Sequence, residues 1–151
     1  MTIGHFPALR RLRISDQIIG GKAFLDTVYP FFNFANPTST SKLKDLVLDL
    51  SWIMPIGSNS SYEDEVLLPR NGWHQLDALF TSSQYPSLRK VSIIICLSAS
   101  WELRTEEPAR HARIWNIYRL GDIESALFPL LSSSDTIELE FHPRTGLHGG
   151  F

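Results

Sequence analysis

One apolar spacing recurs along this chain and limits the folds open to it. Leu9, Leu12 and Ile14 are spaced as LxxLxL, and so are Leu43, Leu46 and Leu48, then Leu88, Val91 and Ile93. A fourth copy is partial, with Ser134 in the first slot ahead of Ile137 and Leu139. Two copies share a longer approach, because Phe6-Pro7-Ala8-Leu9-Arg10 and Tyr85-Pro86-Ser87-Leu88-Arg89 both read aromatic, proline, small, leucine, arginine. The second-slot residues Leu12, Leu46, Val91 and Ile137 stand 34, 45 and 46 residues apart. Each interval has room for one helix and a loop, so the repeat is irregular and each unit is expected to be a strand followed by its return crossover.

The residues inside and between the copies agree with that division. Leu46-Val47-Leu48-Asp49-Leu50 alternates apolar and polar positions, and β-branched residues crowd Val91 to Ile95, both of which predict strands. Between them, Trp73, Leu76, Leu79 and Phe80 recur at helical spacing, with Asn71 or Gly72 as the start. Ile114, Ile117, Tyr118 and Leu120 form a second stripe, which breaks near Gly121 and resumes at Ile123, Ala126 and Leu127 with Asp122 as its cap. A shorter helix is expected over Ala23 to Tyr29. Residues 36–41 and 54–61 are rich in turn formers and read as long loops. The segment from His142 to Phe151 carries Pro143, Gly146, Gly149 and Gly150 and is expected to be a flexible tail, leaving one domain over residues 1–141.

Strand, helix and parallel strand make a right-handed crossover whose helix covers one face of the sheet. Repeated in one direction, the move gives a curved stack with about four parallel strands in chain order, backed by helices. The motif leucines then point toward the helices and the alternate residues point to the open face. Those open-face positions are Arg11, Arg13 and Ser15; Asp45, Val47 and Asp49; Lys90, Ser92 and Ile94; and Thr136, Glu138 and Glu140. They fall in basic, acidic, mostly neutral and acidic bands, a pattern suited to a partner of complementary charge.

Composition narrows the functions such a stack can serve. Fourteen basic and sixteen acidic residues leave a net charge of -2 with no Lys/Arg-rich run, which argues against nucleic acid as a partner. No apolar stretch reaches the roughly 18 residues of a membrane span, and no export signal opens the chain, so the cytoplasm or nucleus is expected. The single Cys96 cannot form an internal disulfide and, at the end of a strand-like apolar run, reads as a buried small hydrophobe. His5, His74, His111, His142 and His148 lack metal-ligand spacing, and neither Gly20-Gly21 nor Gly149-Gly150 has a phosphate-loop context. No cofactor and no catalytic residue is therefore expected. Glu63-Asp64-Glu65 reads as a solvated loop. Of the four tryptophans, Trp73 and Trp115 fall on helix faces and read as core, whereas Trp52 and Trp101 follow the second and third strands and are candidate anchors at one sheet edge.

Three motifs carry a resemblance to a known family. Phe6-Pro7-x-Leu9-Arg10-x-Leu12, Trp73-x-x-Leu76-Asp77 running into Tyr85-Pro86-Ser87-Leu88-Arg89, and Leu127-Phe128-Pro129-Leu130-Leu131 ahead of Ile137 to Phe141 resemble the leucine-rich-repeat regions found behind F-box domains in many proteins of mushroom-forming fungi. The resemblance covers most of the chain. It implies a leucine-rich-repeat-like α/β solenoid that recognises targets for a cullin-based ubiquitin ligase. No F-box-like helical segment stands ahead of Phe6, so ligase subunits are expected as partners only if an F-box is supplied elsewhere. The expectation is a protein-interaction module, with two alternatives open: a small three-layer α/β enzyme of unknown reaction, or a non-functional fragment of a longer repeat protein. The enzyme reading requires polar residues gathered in a cleft at the carboxyl ends of neighbouring strands.

Overall fold

The two matching approach segments fold into the same turn. The Leu9 N–H donates to the Phe6 carbonyl at 3.1 Å, and the Leu88 N–H donates to the Tyr85 carbonyl at 3.2 Å. In each, proline sits directly after the aromatic residue, where its fixed φ favours the turn. The structure, a computed structural model, describes residue 3 and residues 6–19, 24–33, 40–53, 72–99 and 120–147.

Each turn or approach delivers the chain into a strand through one shared carbonyl. The Arg10 carbonyl accepts the N–H groups of Lys44 and Asp45 at 2.7 and 3.1 Å, and the Lys44 carbonyl accepts those of Arg89 and Lys90 at 2.8 and 3.0 Å. The Arg89 carbonyl accepts the Glu138 N–H at 2.8 Å. From there β1 (Arg11–Ile19), β2 (Asp45–Ile53), β3 (Lys90–Ala99) and β4 (Glu138–Leu147) run parallel in the order β1-β2-β3-β4. Arg11, Asp45, Lys90 and Glu138 lie side by side, and every later position keeps that register. The sheet is therefore built in chain order, without the reversal of strand order that defines a topological switch point.

Four described helices accompany the sheet: α1 (Phe24–Phe32), α2 (Trp73–Phe80), α3 (Leu120–Leu127) and α4 (Pro129–Ser132). The motif residues meet them. Leu43, Leu46, Leu48, Leu88, Val91, Ile93 and Phe141 are buried in one cluster with Val28, Phe32, Trp73, Leu76, Phe80, Leu127, Phe128 and Leu131. Leu9, Leu12 and Ile14 occupy the same slots on β1 but are only partly buried, because an edge strand has a neighbour on one side alone. Phe32, Phe80 and Tyr85 meet edge to face, with centroids 5.1 Å apart for Phe32–Phe80 and 5.7 Å for Phe80–Tyr85.

Helix α2 starts at Gly72, whose φ of 69° lies in the left-handed region that costs a residue with a Cβ about 1–2 kcal/mol. Its apolar stripe is buried as its spacing predicts. The shorter helix expected to end at Tyr29 continues through Pro30 to Phe32; Pro30 forgoes one N–H bond to the carbonyl four residues back, and the helix ends two residues later. Asp122 does not cap a new helix: α3 already includes Leu120 ahead of it and passes through Gly121 without a break. Sequence periodicity did not separate α4 from α3, although Pro129 at its first position is a start signal.

The expected tail also changes. Strand β4 continues past residue 141 and pairs with β3 as far as Leu147. An edge strand needs only part of its N–H groups for its single neighbour, so Pro143 and Gly146 do not end the ladder there. The expected helical stripe at residues 114–119, the loop at 54–61, the Glu63 to Glu65 cluster, Trp115, His5, His111, His148 and the Gly149-Gly150 pair lie outside the described residues.

Candidate partner-binding face

The side of the sheet opposite the helices presents the alternate residues of all four strands. At the first level stand Arg11, Asp45, Lys90 and Glu138; at the second, Arg13, Val47, Ser92 and Glu140; at the third, Ser15, Asp49, Ile94 and His142. Eleven of the twelve positions read from alternation lie on these three levels. Thr136 does not, because β4 begins at Glu138. Leu139 and Phe141 stand beside Val91 and Ile93, so the fourth copy falls two residues later than the expected Ser134, Ile137 and Leu139, and the Ser134 hydroxyl accepts the N–H groups of Thr136 and Ile137 at 3.3 and 3.2 Å in the turn ahead of the strand.

His142 takes the place assigned to Thr136. Its position was legible as the next alternate residue after Glu138 and Glu140, but Pro143 and the glycines beyond it suggested a tail instead. Alternation likewise extends the face to a fourth level, where Gln17, Ser51 and Cys96 stand in register. Cys96 is consequently half-buried on the open side and not enclosed in the core.

The charge bands are linked to one another by ion pairs. Arg11 Nε donates to Asp45 Oδ2 at 2.9 Å, directly across β1 and β2. Arg13 faces the apolar Val47 and turns one level along the sheet to bond Asp49. On the other half, Lys90 Nζ donates to Glu140 Oε1 at 2.7 Å, while the Ser92 hydroxyl donates to Glu140 Oε2 at 3.0 Å. His142 Nε2 lies 3.4 Å from that same oxygen. These donors, Lys90 first and then Ser92 and His142, hold the Glu140 carboxyl down at about 2. The hydrogen bond to Glu140 in turn holds the Lys90 ammonium above its ordinary value.

Between the two charged halves lie Val47, half-buried, and Ser92 and Ile94, both buried by their neighbours. The face thus has a small apolar centre and a charged periphery, the arrangement common in protein interfaces. Among the described residues, no three His, Cys, Asp or Glu side chains come together as metal ligands would. No described helix is long and apolar enough to cross a membrane. Trp52 occupies the next-to-last position of β2, but its side chain and the whole of Trp101 lie outside the described residues, so their expected pairing at one edge has no structural account.

Beneath the face, two motif segments are joined directly. The Asp77 carboxylate of α2 accepts the N–H groups of Leu130 and Leu131 at 2.8 Å each, and Trp73 packs edge to face on Phe128 with centroids 5.6 Å apart. Compared with known proteins, the chain matches no family model, no curated protein and no solved structure.

Proposed function

We propose that the chain is a protein-interaction module of solenoid type and that the open face of β1 to β4 binds its partner. The observation that carries the reading is the arrangement of that face: ordered charges in register across four strands, each described cation held by a carboxylate, around Val47 and Ile94. Ion pairs anchored on a sheet present a fixed pattern of charge, which favours specificity and association rate over raw affinity. The chain-order sheet adds support, since an enzyme of the doubly wound kind places its substrate at a reversal of strand order.

In its finer form the reading makes this module leucine-rich-repeat-like and the target-recognition part of an F-box-type ubiquitin ligase adaptor. That step rests on the resemblance of the motifs around Phe6, Trp73 to Arg89 and Leu127 to Phe141, with the F-box supplied elsewhere. The test exploits the pairing. Exchanging partners within each pair (Arg11→Asp with Asp45→Arg, and Arg13→Asp with Asp49→Arg) keeps every pair while inverting the pattern seen by a partner. A pull-down that yields a specific protein with the natural chain and loses it with the exchanged, folded chain supports the reading. Recovery of ligase subunits from a context containing an F-box supports its finer form. A partner retained after exchange would overturn the assignment of this face.

A further inference from the structure

A second charged feature lies off the open face, at the end of the sheet where the strands begin. Arg10, Lys44 and Arg89 immediately precede Arg11, Asp45 and Lys90, so they occupy equivalent positions on three adjacent strands. All three are exposed, as is Lys42 two residues before Lys44. The carbonyls of the three row residues each accept N–H groups from the next strand, which fixes their backbones on a ladder with a spacing of about 4.8 Å.

This row differs from the open face in one respect. Arg11, Arg13 and Lys90 each bond a carboxylate, whereas among the described residues Arg10, Lys42 and Lys44 have none and Arg89 bonds only the Pro86 and Leu88 carbonyls of its own turn. Like charges directly opposite one another on neighbouring strands repel. Among the described residues, positive charge without a carboxylate partner is therefore concentrated at one rim, on backbone held by hydrogen bonds. An arriving anion would relieve that repulsion on a backbone already held in place.

The row has ends. On β4 the equivalent place is taken by the buried Ile137, and beyond it stand the exposed Asp135 and Glu138. A long polyanion laid along the rim would meet these carboxylates, and so would one crossing to the first level of the open face. A short anionic segment would not. Three cations spread over about 10 Å match an extended peptide of three or four residues. We propose that this rim docks a short acidic segment of a partner protein, with Arg10, Lys44 and Arg89 as its contacts and Lys42 beside them. The site is distinct from the open face and does not depend on what that face binds.

Fluorescence anisotropy of a labelled eight-residue Asp/Glu peptide, titrated with the full chain at low salt, tests the proposal. The expected result is binding that weakens as salt is raised and weakens about 2- to 5-fold with each of Arg10→Gln, Lys44→Gln and Arg89→Gln, the range of an exposed ion pair. The exchanged pair Arg11→Asp with Asp45→Arg should bind the peptide as the natural chain does. All these positions are exposed or half-buried, and circular dichroism of each variant confirms folding. No binding by the natural chain, or binding indifferent to all three rim substitutions, would overturn the proposal. So would a duplex DNA probe that binds more tightly through the same three residues, since the rim would then be a nucleic-acid site.

Discussion

The carboxylate of Asp77, in α2, accepts the backbone N–H of Leu131 at 2.8 Å from 54 positions earlier in the chain. Its other oxygen takes the N–H of Leu130 at the same distance. Helix α4 opens with Phe128 and Pro129 and has no side chain of its own to cap its first turn. Asp77 supplies that cap from the neighbouring unit, and at 1 % exposure its carboxylate satisfies the buried N–H of Leu131 and the part-buried N–H of Leu130. The acidic residue in one motif and the proline-led helix start in the other are thus two halves of a single interaction.

Asp77→Ala should accordingly cost about 1–3 kcal/mol, chiefly because the buried Leu131 N–H loses its charged acceptor. Asp77→Asn should cost less, since the amide oxygen can still accept from one of the two N–H groups. Urea denaturation of the three proteins measures the difference. Equal stability of Asp77→Ala and the natural chain would show that α4 is held by its apolar contacts alone.

Tyr85 and Phe6 begin the same turn in two units but carry different loads. Tyr85 is 2 % exposed, and its hydroxyl donates to the Phe32 carbonyl at 2.5 Å; Phe6 is 43 % exposed. Burial also pushes the Tyr85 phenol well above its ordinary value, so it stays protonated and remains a donor. Tyr85→Phe should therefore destabilise by about 1–2 kcal/mol by orphaning the Phe32 carbonyl, whereas Phe6→Ala should cost less than about 1 kcal/mol. Thermal denaturation ranks the two. A larger loss at Phe6 would mean that the first unit is packed in a way its exposure does not reveal.

The contrast between those two residues also bounds what the sequence could convey. Spacing alone located β1, β2, β3 and α2, because LxxLxL and the stripe from Trp73 to Phe80 match the periods that a half-buried strand and an amphipathic helix require. It placed eleven open-face positions through alternation, which needs no knowledge of neighbours. It could not say that Lys90 reaches Glu140 in preference to Glu138 opposite, or that Arg13 pairs one level up with Asp49, since register and side-chain reach exist only once strands meet. The shift from Thr136 to His142 has the same origin: register with β3 puts Leu139 and Phe141, not Ile137 and Leu139, in the motif slots, and the edge position lets the strand run past a proline. Nor could spacing say that Asp77 caps α4, a contact that exists only once α4 lies beside α2.

The pairs on β1 and β2 should matter little to stability. Arg11 and Asp45 retain 87 % and 37 % of their side-chain exposure, and exposed ion pairs contribute about 0–1 kcal/mol. Arg11→Ala or Asp45→Ala should therefore shift the unfolding free energy by less than about 1 kcal/mol, and the shift should shrink further in high salt. Chemical denaturation at low and high ionic strength checks both statements. A loss of several kcal/mol would move this pair from a displayed charge pattern to a structural element and weaken its use as a probe of recognition.

Glu140 gives the face its own pH dependence. Hydrogen bonds from Lys90, Ser92 and His142 lower its carboxyl from 4.5 to about 2 in the folded chain. Because the folded value lies below the unfolded one, unfolding at acid pH takes up a proton, and the stability contributed by Glu140 is complete above 4.5 and disappears as pH falls through about 2. In a carboxyl-carbon NMR titration, Glu140 should stay ionised in the range where ordinary glutamates protonate. Lys90→Met removes the largest cause and should raise the Glu140 value toward 4.5, while Arg11→Ala, on the far side of the sheet, should leave it unchanged. A Glu140 that titrates normally in the natural chain would mean that Lys90 does not hold it in solution, and the β3–β4 half of the face would then present a free carboxylate to a partner instead of a closed pair.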